Sequence, residues 1–201
     1  MRLMLVSPPD VFRRETSLVR EMLALGLPRF HVRKPAWDKP ALLAYLAEIP
    51  GCFHSRLVLH SHHSLVREWG LGGAHLTAAA RAAGARPRLG LGQTLSTSFH
   101  TLAEIRRHRR RYDYVFLSPI FDSLSKANYP ATFAMAEVVG TLQQLRQRPG
   151  YVPQVVALGG VEAHRLAEVQ QAGFAGAAVL GAVWQSPNPV AAFRALQSIV
   201  G

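Results

Sequence analysis

The sequence predicts an α/β fold, a single (β/α)8 TIM barrel that spans residues 1–201. Short apolar segments rich in branched and aromatic residues alternate with amphipathic segments, a pattern typical of strands and helices around a parallel sheet. Eight strand signals occur, which is the number that closes a TIM barrel. No linker-like or low-complexity stretch divides the 201 residues, so one domain is expected.

Each element of the barrel has its own signal. The short apolar runs predict strands at 3–6, 29–32, 56–59, 73–76, 88–91, 113–117, 152–158 and 175–180. The amphipathic runs predict helices at 12–25, 40–47, 64–69, 102–111, 132–147, 162–172 and 189–200. Asp38 before Pro40, and Thr101 with Glu104, are capping signals for two helix starts. An open doubly wound sheet is the alternative, but the first βα turn, residues 7–10, lacks the glycine fingerprint of that fold.

The composition favours a small anionic substrate over a macromolecular partner. The formal net charge is +11, and the densest basic run, residues 106–111, is interpreted as the solvated end of a helix. No nucleic-acid motif accompanies it, and no apolar run approaches the roughly 20 residues of a membrane span. The single cysteine, Cys52, excludes a disulfide framework and is typical of a reducing compartment. We therefore expect a cytoplasmic protein without nucleic-acid or membrane partners, and a homodimer stays an open alternative.

Glycines at the ends of the last two strands predict a phosphate site. Gly159 and Gly160 lead from the seventh strand into a helix, and Leu180 with Gly181 repeats that arrangement after the eighth. Backbone without side chains lets a phosphate approach the free N–H groups at a helix start, and barrels often bind phosphate with these two loops. Taken singly, each glycine is equally compatible with an ordinary turn.

Histidines supply the candidate acid/base chemistry. Six of the nine fall at or just beyond predicted strand ends: His31, His60, His62, His63, His75 and His100. The His60-Ser61-His62-His63 run invites a zinc interpretation, but its spacing matches no closed zinc pattern, so polar pocket lining or ordinary hydrogen-bonded histidines are favoured. His100 lies beside Ser98 in a predicted loop, and imidazole can give and take protons near neutral pH. Because no carboxylate pair stands at neighbouring strand ends, metal-free chemistry is expected.

Several motifs together resemble one known family. They are Gly73-Ala74-His75-Leu76, Ser98-Phe99-His100-Thr101, Asp113-Tyr114-Val115, Ser118-Pro119-Ile120-Phe121, Ser123-Leu124-Ser125-Lys126 and Ala157-Leu158-Gly159-Gly160-Val161. With them, residues 3–182 resemble the thiamine phosphate synthase and TenI family of small TIM barrels. The synthase joins a pyrimidine diphosphate to a thiazole phosphate with Mg²⁺. The TenI branch includes an enzyme that isomerises a thiazole carboxylate phosphate to its aromatic tautomer with a histidine.

The resemblance implies roles for particular residues. Ser123, Leu124 and Ser125 would contact the thiazole phosphate, with Gly160, Leu180 and Gly181 at its phosphate group. In a synthase, Ser98 and Lys126 would face the pyrimidine diphosphate. His31 and Arg33 fall on the glutamine and arginine of the family's Gln-Leu-Arg-Glu-Lys element. His100 matches the histidine of the tautomerase.

The departures from the family pattern concern the metal. His60 and Ser61 fall on the Asn-Asp pair whose aspartate binds Mg²⁺, and Ala80 falls on the second metal aspartate. We therefore expect a metal-independent TenI-like tautomerase, with His100 as acid/base and with His31, Arg33, His60 and Ser98 lining the substrate pocket. One alternative is a divergent synthase that recruits Mg²⁺ through substrate phosphates or through Asp10 or Asp122. The other is a regulatory barrel that binds a phosphate ligand without catalysis.

Overall fold

The computed structural model describes residues 1–122 and 133–201, and its strands form a closed eight-stranded barrel. Every neighbouring pair is parallel, and the last strand closes on the first, with Leu3 opposite Ala177. The predicted TIM barrel is thereby confirmed. The strands are β1 Arg2–Val6, β2 Arg29–Val32, β3 Leu57–Leu59, β4 Gly73–Leu76, β5 Thr94–Phe99, β6 Tyr114–Leu117, β7 Gln154–Leu158 and β8 Gly176–Val179.

The fifth strand lies elsewhere than predicted. Residues 88–91 form no strand and leave Leu91 exposed, whereas β5 begins at Thr94. The sequence of β5 is rich in hydroxyl residues because Ser96 and Ser98 point to one side of the strand and contact a histidine of β4. A polar inward face removes the apolar signal on which strand prediction depends. The prediction at 88–91 is wrong for that reason.

Helices surround the barrel. They are α1 Glu15–Ala24, α2 Lys39–Ala47, α3 Ser64–Glu68, α4 Ala78–Ala82, α5 Leu102–Arg107, α6 Met135–Arg146, α7 Leu166–Ala172, α8 Gly181–Trp184 and α9 Pro189–Val200, with 3₁₀ turns at Gly51–Arg56 and Ala163–Arg165. Both capping predictions are confirmed: the Asp38 side chain accepts from Ala41 N, and Thr101 and Glu104 form a capping box. The basic run 106–111 is only partly helical, because α5 ends at Arg107. The short helices α4 and α8 were not predicted.

The apolar core has two parts. The larger part packs the outward faces of the strands against the helices. The smaller part lies inside the barrel and consists of Met4, Val6, Tyr114, Phe116, Val156 and Ala178. Inward and outward residues alternate along a barrel strand, so β1 supplies Leu3 and Leu5 to one part and Met4 and Val6 to the other. Among the described residues, no helix is long and apolar enough to cross a membrane.

Candidate active site at the carboxyl ends of the strands

Three histidines from neighbouring strands meet inside the mouth of the barrel. His31 lies in β2, His60 follows β3, and His75 lies in β4. The ring centroids of His31 and His60 are 5.3 Å apart, and those of His60 and His75 stack at 4.1 Å. Parallel strands bring their carboxyl ends to one edge, which is why residues 44 positions apart in the chain share this site. His31 and His60 were predicted to line the pocket; His75 was not assigned a role.

Hydrogen bonds fix the orientation of these rings. Nδ1 of His31 lies 3.0 Å from Nε2 of His60, and the other nitrogen of His31 lies 2.9 Å from the Tyr114 hydroxyl. His75 lies between two hydroxyls of β5, with Ser96 Oγ 2.9 Å from Nδ1 and Ser98 Oγ 2.9 Å from Nε2. Ser98 is therefore part of a strand and half-buried, where the sequence predicted a loop. Ser96 was not predicted to lie here, and Tyr114 belongs to a family motif but was predicted no role.

Burial keeps the three rings uncharged. It lowers the pKa of His75 to about 3, assisted by the charges of His63, Arg33 and Arg81. Burial also holds the pKa values of His31 and His60 well below their usual range, and the positive charge of Arg33 adds to the shift of His60. At neutral pH these histidines are therefore neutral hydrogen-bonding groups, not cations. They are poorly suited to take up a proton during turnover.

The His60-Ser61-His62-His63 run does not act as one cluster. Only His60 turns into the mouth. The Nε2 atom of His62 lies 3.1 Å from the Trp37 carbonyl, and Nε2 of His63 lies 3.2 Å from the His75 carbonyl. His62 and His63 thus tie the turn before α3 to its neighbours as hydrogen-bonded histidines, and the pocket-lining role of His60 stays a prediction.

His100 stands apart from this cluster, directly after β5. Its Nδ1 lies 2.9 Å from the carbonyl oxygen of Ser118 at the end of β6. Because a carbonyl only accepts, Nδ1 carries the hydrogen, and in the neutral ring Nε2 is left with a lone pair. The backbone N–H of His100 donates to Glu104 Oε2 at 2.9 Å, so the capping box of α5 also anchors this residue. The side chain is exposed at the mouth, where a substrate can reach it.

The glycines after β7 have a structural reason to be glycine. Gly159 and Gly160 adopt φ angles of +89° and +65°. A Cβ on Gly160 would collide with the carbonyl oxygens of Phe121 and Asp122, because the chain after β6 runs beside this turn. The N–H of Phe121 donates to Gly159 O at 3.1 Å. This close approach explains both glycines without a ligand, so their predicted phosphate contact would be an additional role.

The turn after β8 contains the other two residues that were predicted to contact the phosphate. Leu180 and Gly181 are half-buried and begin α8. β7 and β8 pair with Leu158 opposite Ala178, so the two turns lie side by side at one edge of the mouth. The structure thereby brings Gly159, Gly160, Leu180 and Gly181 together. The first turn of any helix offers N–H groups that lack a partner within the helix.

Two cations follow β2, and they have different surroundings. Arg33 is half-buried, and its backbone N–H donates to Ser7 Oγ at 2.8 Å. Lys34 is buried, and its Nζ lies 2.6 Å from Glu15 Oε2 and 2.8 Å from the Asp10 carbonyl. Lys34 is thus committed to an internal ion pair, which leaves Arg33 as the cation of this loop toward the mouth. No local pattern predicts this pair, because its partners are 19 residues apart.

The substrate contacts predicted for Ser123, Leu124, Ser125 and Lys126 stay predictions, because these four residues lie outside the described residues. Ser61 follows β3, and Ala80 lies in α4. These two positions align with the metal aspartates of the family. Neither the turn 60–63 nor the turn 77–80 contains a carboxylate.

A family model described as thiamine monophosphate synthase, the TMP-TENI family, matches residues 3–183. The chain belongs to this family. A putative thiamine-phosphate synthase of Geobacter sulfurreducens is 28% identical over 192 residues, which cover 92% of this chain and 86% of that protein. A thiamine-phosphate synthase of Bacteroides fragilis is 27% identical over 136 residues, and the match spans 66% of its length. The crystal structure of a thiamine phosphate pyrophosphorylase from Bacteroides thetaiotaomicron superposes with a TM-score of 0.80 at 30% identity, over 100% of this chain and 98% of the other.

Family membership confirms the resemblance to the thiamine phosphate synthase and TenI family. Another thiamine phosphate pyrophosphorylase, from Pyrococcus furiosus, superposes with a TM-score of 0.74 at 17% identity, which supports the fold alone. The names of the relatives match the synthase alternative of the sequence analysis and not the tautomerase.

Proposed function

We propose that the chain binds a thiazole phosphate at the mouth of its barrel and isomerises it by proton transfer, with His100 as the acid/base. The observation that carries this proposal is the hydrogen bond of His100 together with its exposure. The Ser118 carbonyl holds Nδ1–H, and the ring is exposed, so Nε2 is available at the carboxyl ends of the strands. This is where TIM barrels place their reactive groups.

The proposed reaction needs one group that both takes and returns a proton. Nε2 of neutral His100 would accept a proton from the thiazole ring system, leaving an imidazolium and a delocalised anion. The same proton would return at another position, so that the ring becomes aromatic and no other atom is gained or lost. The Ser118 carbonyl stabilises the imidazolium through its hydrogen bond with Nδ1–H. His75 is a poor candidate for this role, because burial lowers its pKa to about 3.

The remaining predicted residues would bind and orient the substrate. The turns of Gly160 and Gly181 would place backbone N–H groups around the phosphate, with Ser123–Lys126 as the predicted third side. His31, His60 and Ser98 line the mouth as neutral polar groups, and Arg33 supplies positive charge beside them. The overall charge of +11 also favours an anionic substrate.

The second candidate is the condensation that the names of the relatives describe. That reaction in the family uses Mg²⁺, which prefers carboxylate oxygens and substrate phosphates. The residues present do not fit this ion, because Ser61 and Ala80 stand where the two metal aspartates would be. Asp10 and Asp122 are both exposed. Because the metal aspartates are missing, the synthase is the less favoured candidate.

One assay separates the candidates. The purified protein is incubated with the thiazole carboxylate phosphate tautomer, or with pyrimidine diphosphate plus thiazole phosphate, each with and without Mg²⁺. We expect isomerisation that is independent of Mg²⁺. His100→Gln should lower the turnover by about 10²–10⁴-fold, the usual contribution of general acid–base catalysis, and leave substrate affinity nearly unchanged. His164→Gln, at an exposed position of a 3₁₀ turn, is the matched control and should retain full activity.

The other outcomes are equally informative. Release of pyrophosphate that depends on Mg²⁺ would replace the proposal with the synthase. Tight binding of the thiazole phosphate without either reaction would identify a regulatory barrel. An equal loss of binding and turnover in His100→Gln would mean that His100 is a binding residue, not the acid/base.

A further inference from the structure

We propose that His31, His60 and His75 form a binding site for a divalent transition-metal ion of the Zn²⁺ or Co²⁺ type. The three side chains offer one ring nitrogen each within 4.8 Å of one another, the only such group of three or more metal-ligating residues in ranges 1–122 and 133–201. The proposal does not depend on which reaction the enzyme catalyses.

The spacing of the nitrogens is close to that of a tetrahedral site. Zinc–nitrogen bonds of about 2.0–2.1 Å place two ligand nitrogens about 3.3 Å apart. Nδ1 of His31 and Nε2 of His60 are already 3.0 Å apart. The third nitrogen, on His75, lies at most 4.8 Å from the other two, so it needs a shift of about 1.5 Å at most to reach the same spacing. At this distance one nitrogen donates its hydrogen to the lone pair of the other. An ion that replaced this hydrogen would be bound by both nitrogens.

Two of the three outer nitrogens, those of His31 and His75, already have the partners that metal-bound histidines need. With the ion on Nδ1 of His31, its Nε2–H donates to the Tyr114 hydroxyl, 2.9 Å away. With the ion on Nε2 of His75, its Nδ1–H donates to Ser96 Oγ, also 2.9 Å away. Such partners fix the tautomer and orientation of a ligating ring. The hydroxyls of Tyr114 and Ser96 therefore have a role that the substrate pocket alone does not explain.

The donor set selects the ion. Three imidazoles and no carboxylate favour Zn²⁺, Co²⁺, Ni²⁺ or Cu²⁺ over Mg²⁺. Three protein ligands leave a fourth position open, as in metal sites that take a water or a substrate atom. An ion on Nε2 of His75 would replace the hydrogen bond of this nitrogen to Ser98 Oγ, 2.9 Å away. Because Arg33 adds positive charge here, we expect the fourth ligand to be an anionic oxygen.

Direct metal binding tests the proposal without any enzyme assay. The full-length protein is stripped with a chelator, dialysed, and titrated with Co²⁺ in a visible absorption experiment and with Zn²⁺ in a calorimeter. We expect one equivalent of Co²⁺ to produce the intense d–d bands of a tetrahedral site, and Zn²⁺ to displace it. His60→Gln, at the half-buried position of the cluster, should abolish the bands.

Two further variants distinguish ligation from a structural effect. Tyr114→Phe keeps the ring but removes the hydroxyl. It should lower the affinity for Zn²⁺ by about 10–100-fold, the usual effect of losing a hydrogen-bond partner of a metal-bound histidine. His62→Asn changes a neighbouring histidine outside the cluster, at φ +49°, where asparagine is well tolerated, and should bind like the wild type. Circular dichroism confirms that each variant is folded. Failure of the wild type to bind Co²⁺ or Zn²⁺, or unchanged binding by folded His60→Gln, would overturn the proposal and leave the three rings as a hydrogen-bonded cluster.

Discussion

The buried ion pair between Lys34 and Glu15 gives the sharpest test of what holds the mouth of the barrel in shape. Its two side chains are 1% and 5% exposed, and their charged atoms are 2.6 Å apart. Tyr45 Oη donates to the other oxygen of Glu15 at 2.8 Å. Burial raises the pKa of Glu15, and the contact with Lys34 acts against that rise. The carboxylate is therefore held in place by the ammonium that it neutralises.

Glu15→Gln would leave the Lys34 ammonium buried without a counter-charge. Breaking a buried pair in this way costs about 3–5 kcal/mol. At roughly 2–4 °C per kcal/mol for a chain of this size, the melting temperature should fall by about 6–20 °C. The measurement is urea unfolding followed by circular dichroism, with thermal melts in parallel. Adding Lys34→Met to Glu15→Gln removes both charges and should restore most of the loss.

An exposed pair provides the control for this experiment. Arg165 and Glu168 are 3.1 Å apart, but their side chains are 45% and 41% exposed. Water screens such pairs, so Glu168→Gln should cost less than about 1 kcal/mol. If Glu15→Gln cost no more than Glu168→Gln, or if the double variant were no more stable than Glu15→Gln alone, the argument from burial would be refuted.

Two further predictions concern stability. The unfolded chain binds a proton at His75 below pH 6.5, whereas the folded chain does so only below about pH 3. The free energy of unfolding should therefore fall as the pH drops from 6.5, by up to about 1.4 kcal/mol per pH unit from this residue. Urea titrations at pH 7.5 and 5.5 measure this loss. An equal pH dependence in His75→Gln would contradict the prediction. Gly160→Ala should cost about 2–4 kcal/mol by collision and by positive φ. Gly84→Ala has φ +71° but open space, so it should lose only about 1 kcal/mol in the same titrations; equal losses would rule out the collision.

The sequence predicted most of the fold because seven strands carry an apolar signal. β5 is the exception, since Ser96 and Ser98 use its inward face for hydrogen bonds to His75. A strand that serves a polar site loses the pattern that reveals it. The helix starts at Asp38 and Thr101 were predictable because capping is local. In both, the side chain of the cap residue accepts from the backbone N–H three residues further on.

The site was less predictable because its geometry depends on the register of the barrel. His60, His62 and His63 are adjacent in sequence, yet only His60 faces the mouth. His31 and His75 join it from neighbouring strands, and no local pattern brings them together. The repeated Ser-x-Ser of β5, which sets two hydroxyls on one face, was a usable signal for a polar partner on β4.

The two departures from the family pattern at His31 and His60 are physically coupled. They fall on a glutamine and an asparagine of the synthase pattern, and here their ring nitrogens are 3.0 Å apart. Amide oxygens and a neighbouring carboxylate suit a hard ion such as Mg²⁺, whereas imidazoles suit softer ones. Ser61 and Ala80 align with the aspartates, so the expected absence of a Mg²⁺ site and the proposed binding of a softer ion by the histidines concern the same part of the barrel mouth.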